Sequence, residues 1–133
     1  FVFSAGVAGF GVILAVGHYP CPAVNFFERK FVNVLGEYGG IGYPVDGHTW
    51  IIDRKWGYGK VKENSEELMA QYEDYLEMLK TFVTTGCAAA VYTQTTDVEG
   101  EVNGLMTYDR KVIKMDIPRI AKANKAVIES MSK

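Results

Sequence analysis

The chain has 133 residues, enough for one hydrophobic core of ordinary size. Its 48% hydrophobic and 23% charged content is that of a folded globular protein and not of a disordered one. Lys plus Arg number 14 and Asp plus Glu 16, a formal charge of -2, so no basic field exists to hold a polyphosphate backbone and no nucleic-acid partner is expected.

The run Phe1-Val-Phe-Ser-Ala-Gly-Val-Ala-Gly-Phe-Gly-Val-Ile-Leu-Ala-Val16 opens the chain. It is too short and too Gly-rich for a membrane span, and no basic segment precedes it as in a signal peptide. It reads as a loop leading into a strand over Gly11–Gly17, and no membrane association is expected. The absence of an initiating Met agrees with a chain cut from something larger. His18-Tyr-Pro-Cys-Pro22 ends the strand, because both prolines lack a ladder donor. Phe31–Gly36 is a second β-rich run, ending at Glu37-Tyr-Gly-Gly40, where glycine releases the backbone into a loop.

A long loop follows, from Ile41 to about Glu63, carrying Tyr43, Trp50, Trp56 and Tyr58 together with Asp46, His48 and Asp53. Loops of this length are usually functional or disordered, and the aromatic content argues against disorder. Asn64, with Glu67 three residues on, predicts a helix start. Leu68, Tyr72, Tyr75, Leu76, Leu79, Phe82 and Val83 recur at helical spacing on one face, and Gly86 supplies the stop. Cys87–Thr93 reads as a third strand, followed by a polar stretch to Gly104. A turn at Thr107–Lys111 comes next, then a closing helix starting near Pro118, with Ile120, Ala121, Asn124, Val127 and Ile128 on its inner side.

Strands separated by a crossover helix predict an α/β fold with parallel pairing. Three such strands alone leave open sheet edges, whereas a (β/α)₈ barrel takes about 250 residues. A partial barrel and a small three-layer domain both fit this order.

Glu37 is the sharpest candidate for chemistry. It stands where a hydrophobic strand gives way to glycine, which in a barrel is the catalytic rim. A carboxylate there is held by strand hydrogen bonds and can be aimed accurately. The aromatic loop beyond it offers rings for the apolar faces of a sugar, and polar groups for its hydroxyls. Asp97, Glu99 and Glu101 alternate along the polar stretch; their spacing matches no calcium loop and reads as a solvated face. His18, His48, Cys21 and Cys87 form no metal or thiol set, so neither metal nor cofactor is expected; the cysteines read as free, with one disulfide the alternative.

Two segments resemble glycoside hydrolase family 2, the family of β-galactosidases, β-glucuronidases and β-mannosidases. Leu35-Gly-Glu-Tyr-Gly-Gly-Ile-Gly-Tyr-Pro-Val-Asp-Gly-His-Thr-Trp50 resembles the segment around that family's nucleophile. Val91-Tyr-Thr-Gln-Thr-Thr-Asp-Val-Glu-Gly-Glu-Val-Asn-Gly-Leu-Met-Thr-Tyr-Asp-Arg110 resembles its last barrel strand and the loop after it. The resemblance implies that residues 1–133 form the C-terminal portion of a TIM barrel, about the sixth to eighth strands plus the closing helix. It implies a retaining O-glycoside hydrolase for β-linked sugars, with Glu37 as nucleophile. His18, Tyr19 and Tyr92 fall at positions that the resemblance links to the sugar site, His48 and Trp50 of the aromatic loop are expected to join them in binding substrate, and Asp109 and Arg110 fall in a structural turn. The family's Asp-x-His-His-Tyr-Pro is here Ala15-Val-Gly-His-Tyr-Pro20, with two polar residues replaced. The family's Asn-Glu pair, whose glutamate is the acid/base, has no counterpart in the 133 residues. The expected partners are therefore a carbohydrate and the remainder of the barrel or another subunit, with the isolated chain inactive. A non-catalytic carbohydrate-binding or structural module is the alternative. Sugar identity and compartment (cytoplasm, periplasm or exterior) stay open.

Overall fold

A computed structural model describes residues 13–24 and 27–131. Five elements follow one another: strand β1 (Ile13–Gly17), strand β2 (Val32–Gly39), helix α1 (Ser65–Thr85), strand β3 (Cys87–Thr93) and helix α2 (Ile117–Ser130). The strands form one sheet in the order β1-β2-β3, both pairings parallel. The architecture is thus a small α/β fold, a three-stranded parallel sheet with two flanking helices. The Gly11 and Val12 start predicted for the first strand lies outside the described residues.

The second strand runs three residues further than its apolar pattern suggests, through Glu37 to Gly39. The reason is a slip in register. Val16 pairs with Leu35 but Gly17 with Glu37, and on the other side Leu35 pairs with Ala90 and Tyr38 with Tyr92. An irregularity of this kind shifts the phase of the side chains. Leu35 and Tyr38, three residues apart, are both buried in the same core, and Glu37 between them is exposed.

Helix α1 forms where its caps predict. The Asn64 side chain accepts from the Glu67 amide at 2.9 Å, while Glu67 Oε2 accepts from the Glu63 amide at 3.1 Å. Gly86, at φ 114°, closes the other end by donating its amide to Phe82 and Val83 carbonyls. Leu68, Met69, Tyr72, Tyr75, Leu76 and Leu79 are its buried face, each worth about 1.5–3 kcal/mol of apolar burial as an upper bound. Phe82 packs beside that core only partly buried.

Helix α2 begins at Ile117 with Asp116 as N-cap and Pro118 in its first turn. It buries no residue fully. Ile120, Ala123 and Val127 lean on the core, whereas Ala121 and Ile128, predicted to face inward, are exposed. Polar contacts seat the helix instead. Asn124 donates to Tyr72 Oη at 2.9 Å, and Arg119 spans Glu66 and Glu73 of α1 with four hydrogen bonds.

The segment between β2 and α1 has no helix or strand of its own, yet its backbone is tied down. Tyr58 donates to Gly40 O, Lys62 to Gly42 O and Tyr43 to Val102 O. Trp56 and Glu101 form a parallel bridge. Gly42 and Gly57 lie backbone to backbone: a Cβ on Gly57 would meet Gly42 Cα and N at 2.6 Å. Only glycine allows that approach.

Asp97 corrects the solvated-face reading of the acidic stretch. It is 4% exposed and pairs at 2.6 Å with the buried ammonium of Lys114. Lys114 donates further to Tyr43 O at 2.7 Å and Val102 O at 3.0 Å, so its three N–H groups meet three acceptors. One buried side chain thereby fastens the long loop, the polar stretch and the approach to α2. Burial pushes the Asp97 carboxyl up and the Lys114 ammonium down, and the bond between them opposes both shifts.

Candidate functional site

Glu37 leaves β2 near its C-terminal end on the exposed side. Its side chain lies against Gly17 of β1, where an added Cβ would stand 3.8 Å from Oε2. Its carbonyl accepts from the His18 amide at 2.8 Å, and two residues on Gly39 donates to Pro20 O at 2.9 Å. The backbone that carries the carboxylate is therefore fixed from one side by the segment following β1.

That segment also supplies Tyr19. Its hydroxyl is 3.2 Å from Glu37 Oε2 and 2.7 Å from Thr93 Oγ1, at the end of β3. One phenolic proton cannot serve both, so Thr93 donates to Tyr19 and Tyr19 to Glu37. Burial first of all, with the adjacent Glu37 charge, pushes the Tyr19 phenol up to about 12 despite the Thr93 bond. Tyr19 thus remains a donor across the physiological range. Ends of all three strands converge here: Glu37 from β2, Thr93 from β3 and Tyr19 from just beyond β1.

The long loop adds an aromatic wall. Tyr58 stacks on Tyr19 with ring centres 4.0 Å apart and planes 12° from parallel, and Trp56 meets Tyr58 edge-on at 5.5 Å. Burial, then the charges of Glu101 and Glu37, raise the Tyr58 phenol above its ordinary value. Both carboxylates therefore act on the same ring.

The remaining predicted site residues go elsewhere. The His18 ring is 2.8 Å from Cys21 O, within its own turn, and reaches Glu37 only through its backbone amide. His48 Nδ1 is 2.8 Å from Asp109 Oδ2, and Trp50 lies 5.9 Å from the Tyr108 ring. These two residues form a second cluster, on the turn before α2. Asp109 is held there by Thr107 Oγ1 at 2.6 Å, by His48 and by the Lys111 amide, which keep its carboxyl below the usual carboxylate range. Tyr92 belongs to the core. It packs edge-on against Tyr38 at 5.5 Å and Tyr72 at 5.2 Å, and a Cβ on Gly39 would strike its ring at 2.3 Å. Its hydroxyl is buried without a partner of hydrogen-bond geometry. Burial pushes that phenol upward by more than the Ile41 amide offsets.

Thr93, Gln94 and Asn103 escaped the reading of the sequence, since a polar residue at a strand end or in a polar stretch carries no local signal. Gln94 Nε2 donates to Glu101 Oε2 at 3.1 Å and to Asn103 Oδ1 at 2.6 Å, while Asn103 Nδ2 donates to Glu101 Oε2 at 3.2 Å.

Glu37 lines neither of two hollows in the molecule. An apolar groove of about 290 Å³ lies between α1, β3 and α2, and a hollow of about 130 Å³ lies beside Tyr58 and Tyr75. The Glu37 side chain is exposed. Among the described residues no group of three His, Cys, Asp or Glu is placed to hold a metal, both cysteines are free, and no helix is long and apolar enough to cross a membrane. A scan against protein-family models found no match, and a search of curated proteins found no relative.

Proposed function

We propose that the chain is the nucleophile-bearing portion of a retaining glycoside hydrolase acting on β-linked sugars, built as the C-terminal part of a (β/α)₈ barrel. The observation that carries this reading is the exposed Glu37 carboxylate at a strand end, with Tyr19 donating to it and the Tyr58–Trp56 wall beside it. The resemblance of residues 35–50 and 91–110 to glycoside hydrolase family 2 supports it.

Retention requires two carboxyl groups about 5–5.5 Å apart, one to attack the anomeric carbon and one to protonate the leaving oxygen and then activate water. Glu37 is the attacking group in this proposal. Tyr19 orients Oε2 and leaves Oε1 for attack; its proton also helps the carboxylate depart when the glycosyl-enzyme is hydrolysed. The aromatic wall excludes water from one side of the sugar and stacks on its C–H face. The acid/base comes from the remainder of the barrel or another subunit. The sheet supports such a partner, since among the described residues β1 and β3 each pair on one edge only.

The test is covalent trapping. A 2-deoxy-2-fluoro β-glycoside with an activated leaving group, incubated with the full natural polypeptide, should add one glycosyl unit to the peptide containing Glu37. Glu37→Gln should abolish both the adduct and the turnover of aryl β-glycosides while leaving the melting temperature nearly unchanged. Undiminished turnover by Glu37→Gln would sink the proposal. Saturable sugar binding without turnover or adduct would favour the non-catalytic module.

A further inference from the structure

Glu101 is a second carboxylate, joined to the surroundings of Glu37 through Gln94 and Trp56, and no step of the proposed mechanism uses it. Its position is unusually well determined. Its backbone exchanges two hydrogen bonds with Val98 around the Glu99–Gly100 turn, at 2.9 and 3.1 Å. The neighbouring Gly100 carbonyl accepts from the Trp56 amide, and Val102 donates to Trp56 O. The side chain is half-buried, with Oε2 receiving two amide donors, from Gln94 and Asn103. Oε1 has no protein donor among the described residues.

Two chains of contacts connect Glu101 to Glu37. Gln94, which holds Glu101, follows Thr93, which is bonded to Tyr19, which is bonded to Glu37. On the other side Trp56, bridged to Glu101, meets Tyr58, which stacks on Tyr19. The charges of both glutamates are felt at Tyr58. A carboxylate oxygen with two free lone pairs, on a residue bridged through its backbone to Trp56, has the donor-accepting chemistry of a sugar-hydroxyl site.

We infer that Glu101 is the substrate-reading residue: Oε1 accepts hydroxyl protons of a neutral hexosyl unit stacked along Trp56, and its fixed charge turns away uronic acids. The inference rests on the hydrolase reading of Glu37. Two consequences follow from the charge. A sugar carboxylate brought to a pinned, partly desolvated carboxylate is repelled, so glucuronides are poor substrates. A neutral hexoside gains charge-assisted hydrogen bonds that a neutral amide at position 101 cannot replace.

Glu101→Gln separates this role from a structural one. The glutamine carbonyl still accepts from Gln94 and Asn103, so the turn is kept, but the free acceptor becomes an N–H₂ donor. The full natural polypeptide and this variant are assayed on the 4-nitrophenyl β-galactoside, β-glucoside, β-mannoside and β-glucuronide. The wild type should favour a neutral member over the glucuronide. Glu101→Gln should lower kcat/KM for that member about tenfold or more, mainly through KM, and should narrow the ratio of neutral to uronic substrate by a similar factor. Turnover by the wild type with an unchanged ratio in Glu101→Gln overturns the inference and leaves the Glu37 reading standing. A wild type that prefers the glucuronide overturns it as well, whether or not the variant folds. No turnover of any member and no adduct on Glu37 overturns both.

Discussion

Replacing Lys114 by Met tests what fixes the long loop beside Glu37. The substitution keeps an unbranched side chain, one atom shorter, and removes its charge. Three acceptors each lose one donor: Asp97 Oδ1, Tyr43 O and Val102 O, the last keeping the Tyr43 amide. Asp97 Oδ2 is already without a partner, so Asp97 keeps only the Gly104 amide, at 2.8 Å. Removing one member of a buried pair costs about 3–5 kcal/mol, because the other charge is stranded in a dry site. Against a typical stability of about 5–15 kcal/mol that loss is large. Urea unfolding followed by far-UV circular dichroism should show a fall of that size in the free energy of unfolding. Adding Asp97→Asn to Lys114→Met should recover part of it, since the stranded group is then neutral. A loss below about 1 kcal/mol for Lys114→Met, on the same scale, would refute the claim that this pair holds the loop.

Other expectations follow from single contacts. Asn64→Ala removes the cap on α1 and should cost about 1 kcal/mol by the same measurement; no change would place the helix start elsewhere. Gly39→Ala forces a side chain into φ 98° and against the Tyr92 ring. It should cost about 2–4 kcal/mol from strain and overpacking combined, seen as a lower thermal midpoint. Tyr19→Phe removes the donor to Glu37 Oε2. It should lower kcat of the proposed hydrolase about 10- to 100-fold with little change in melting temperature, and an unaltered kcat would remove Tyr19 from the mechanism. Asp109, bonded to Thr107 and His48, has a carboxyl depressed in the folded state. Its contribution is full above the unfolded carboxylate value of roughly 3.9 and fades as pH falls below it. An acid titration of Trp50 emission should therefore differ between wild type and Asp109→Asn below about pH 4; identical curves there would contradict the tether.

Local chemistry made α1 readable to within a residue, with Asn64 or Ser65 as the cap, since Asn64, Glu67 and Gly86 act on their immediate neighbours and the apolar face repeats within one helix. Cys87–Thr93 was equally plain as a β-rich run between a helix stop and a polar stretch. Glu37 was visible because it interrupts an apolar strand just before two glycines. Its company was visible only in part. Tyr19, 18 residues away, came in through the family resemblance, whereas Thr93, 56 residues away, carried no signal that ties it to Glu37. The register slip around Gly36 was equally hidden: it depends on how β1 and β3 align, and it alone lets Leu35 and Tyr38 share a core. Asp97 misled for the same reason. In an acidic stretch it reads as solvated, and only the fold brings it Lys114 from 17 positions on. Tyr92 was assigned to the sugar by analogy with the rim of a barrel strand, whereas the packing of Tyr38 and Tyr72 claims it for the interior.

The glycine contact between positions 42 and 57 divides the long loop into two kinds of territory. At the base, two backbones touch, and no other amino acid fits without moving both. The outer arc is different: Ile52 is 74% exposed, and Gly47 has no atom within 4 Å of an added Cβ. Apart from His48 and Trp50, which meet Asp109 and Tyr108, sequence can drift in that arc while the joint below stays shut. A designer seeking to regraft the loop for a new ligand would cut between Ile51 and Asp53 and leave the hinge glycines alone.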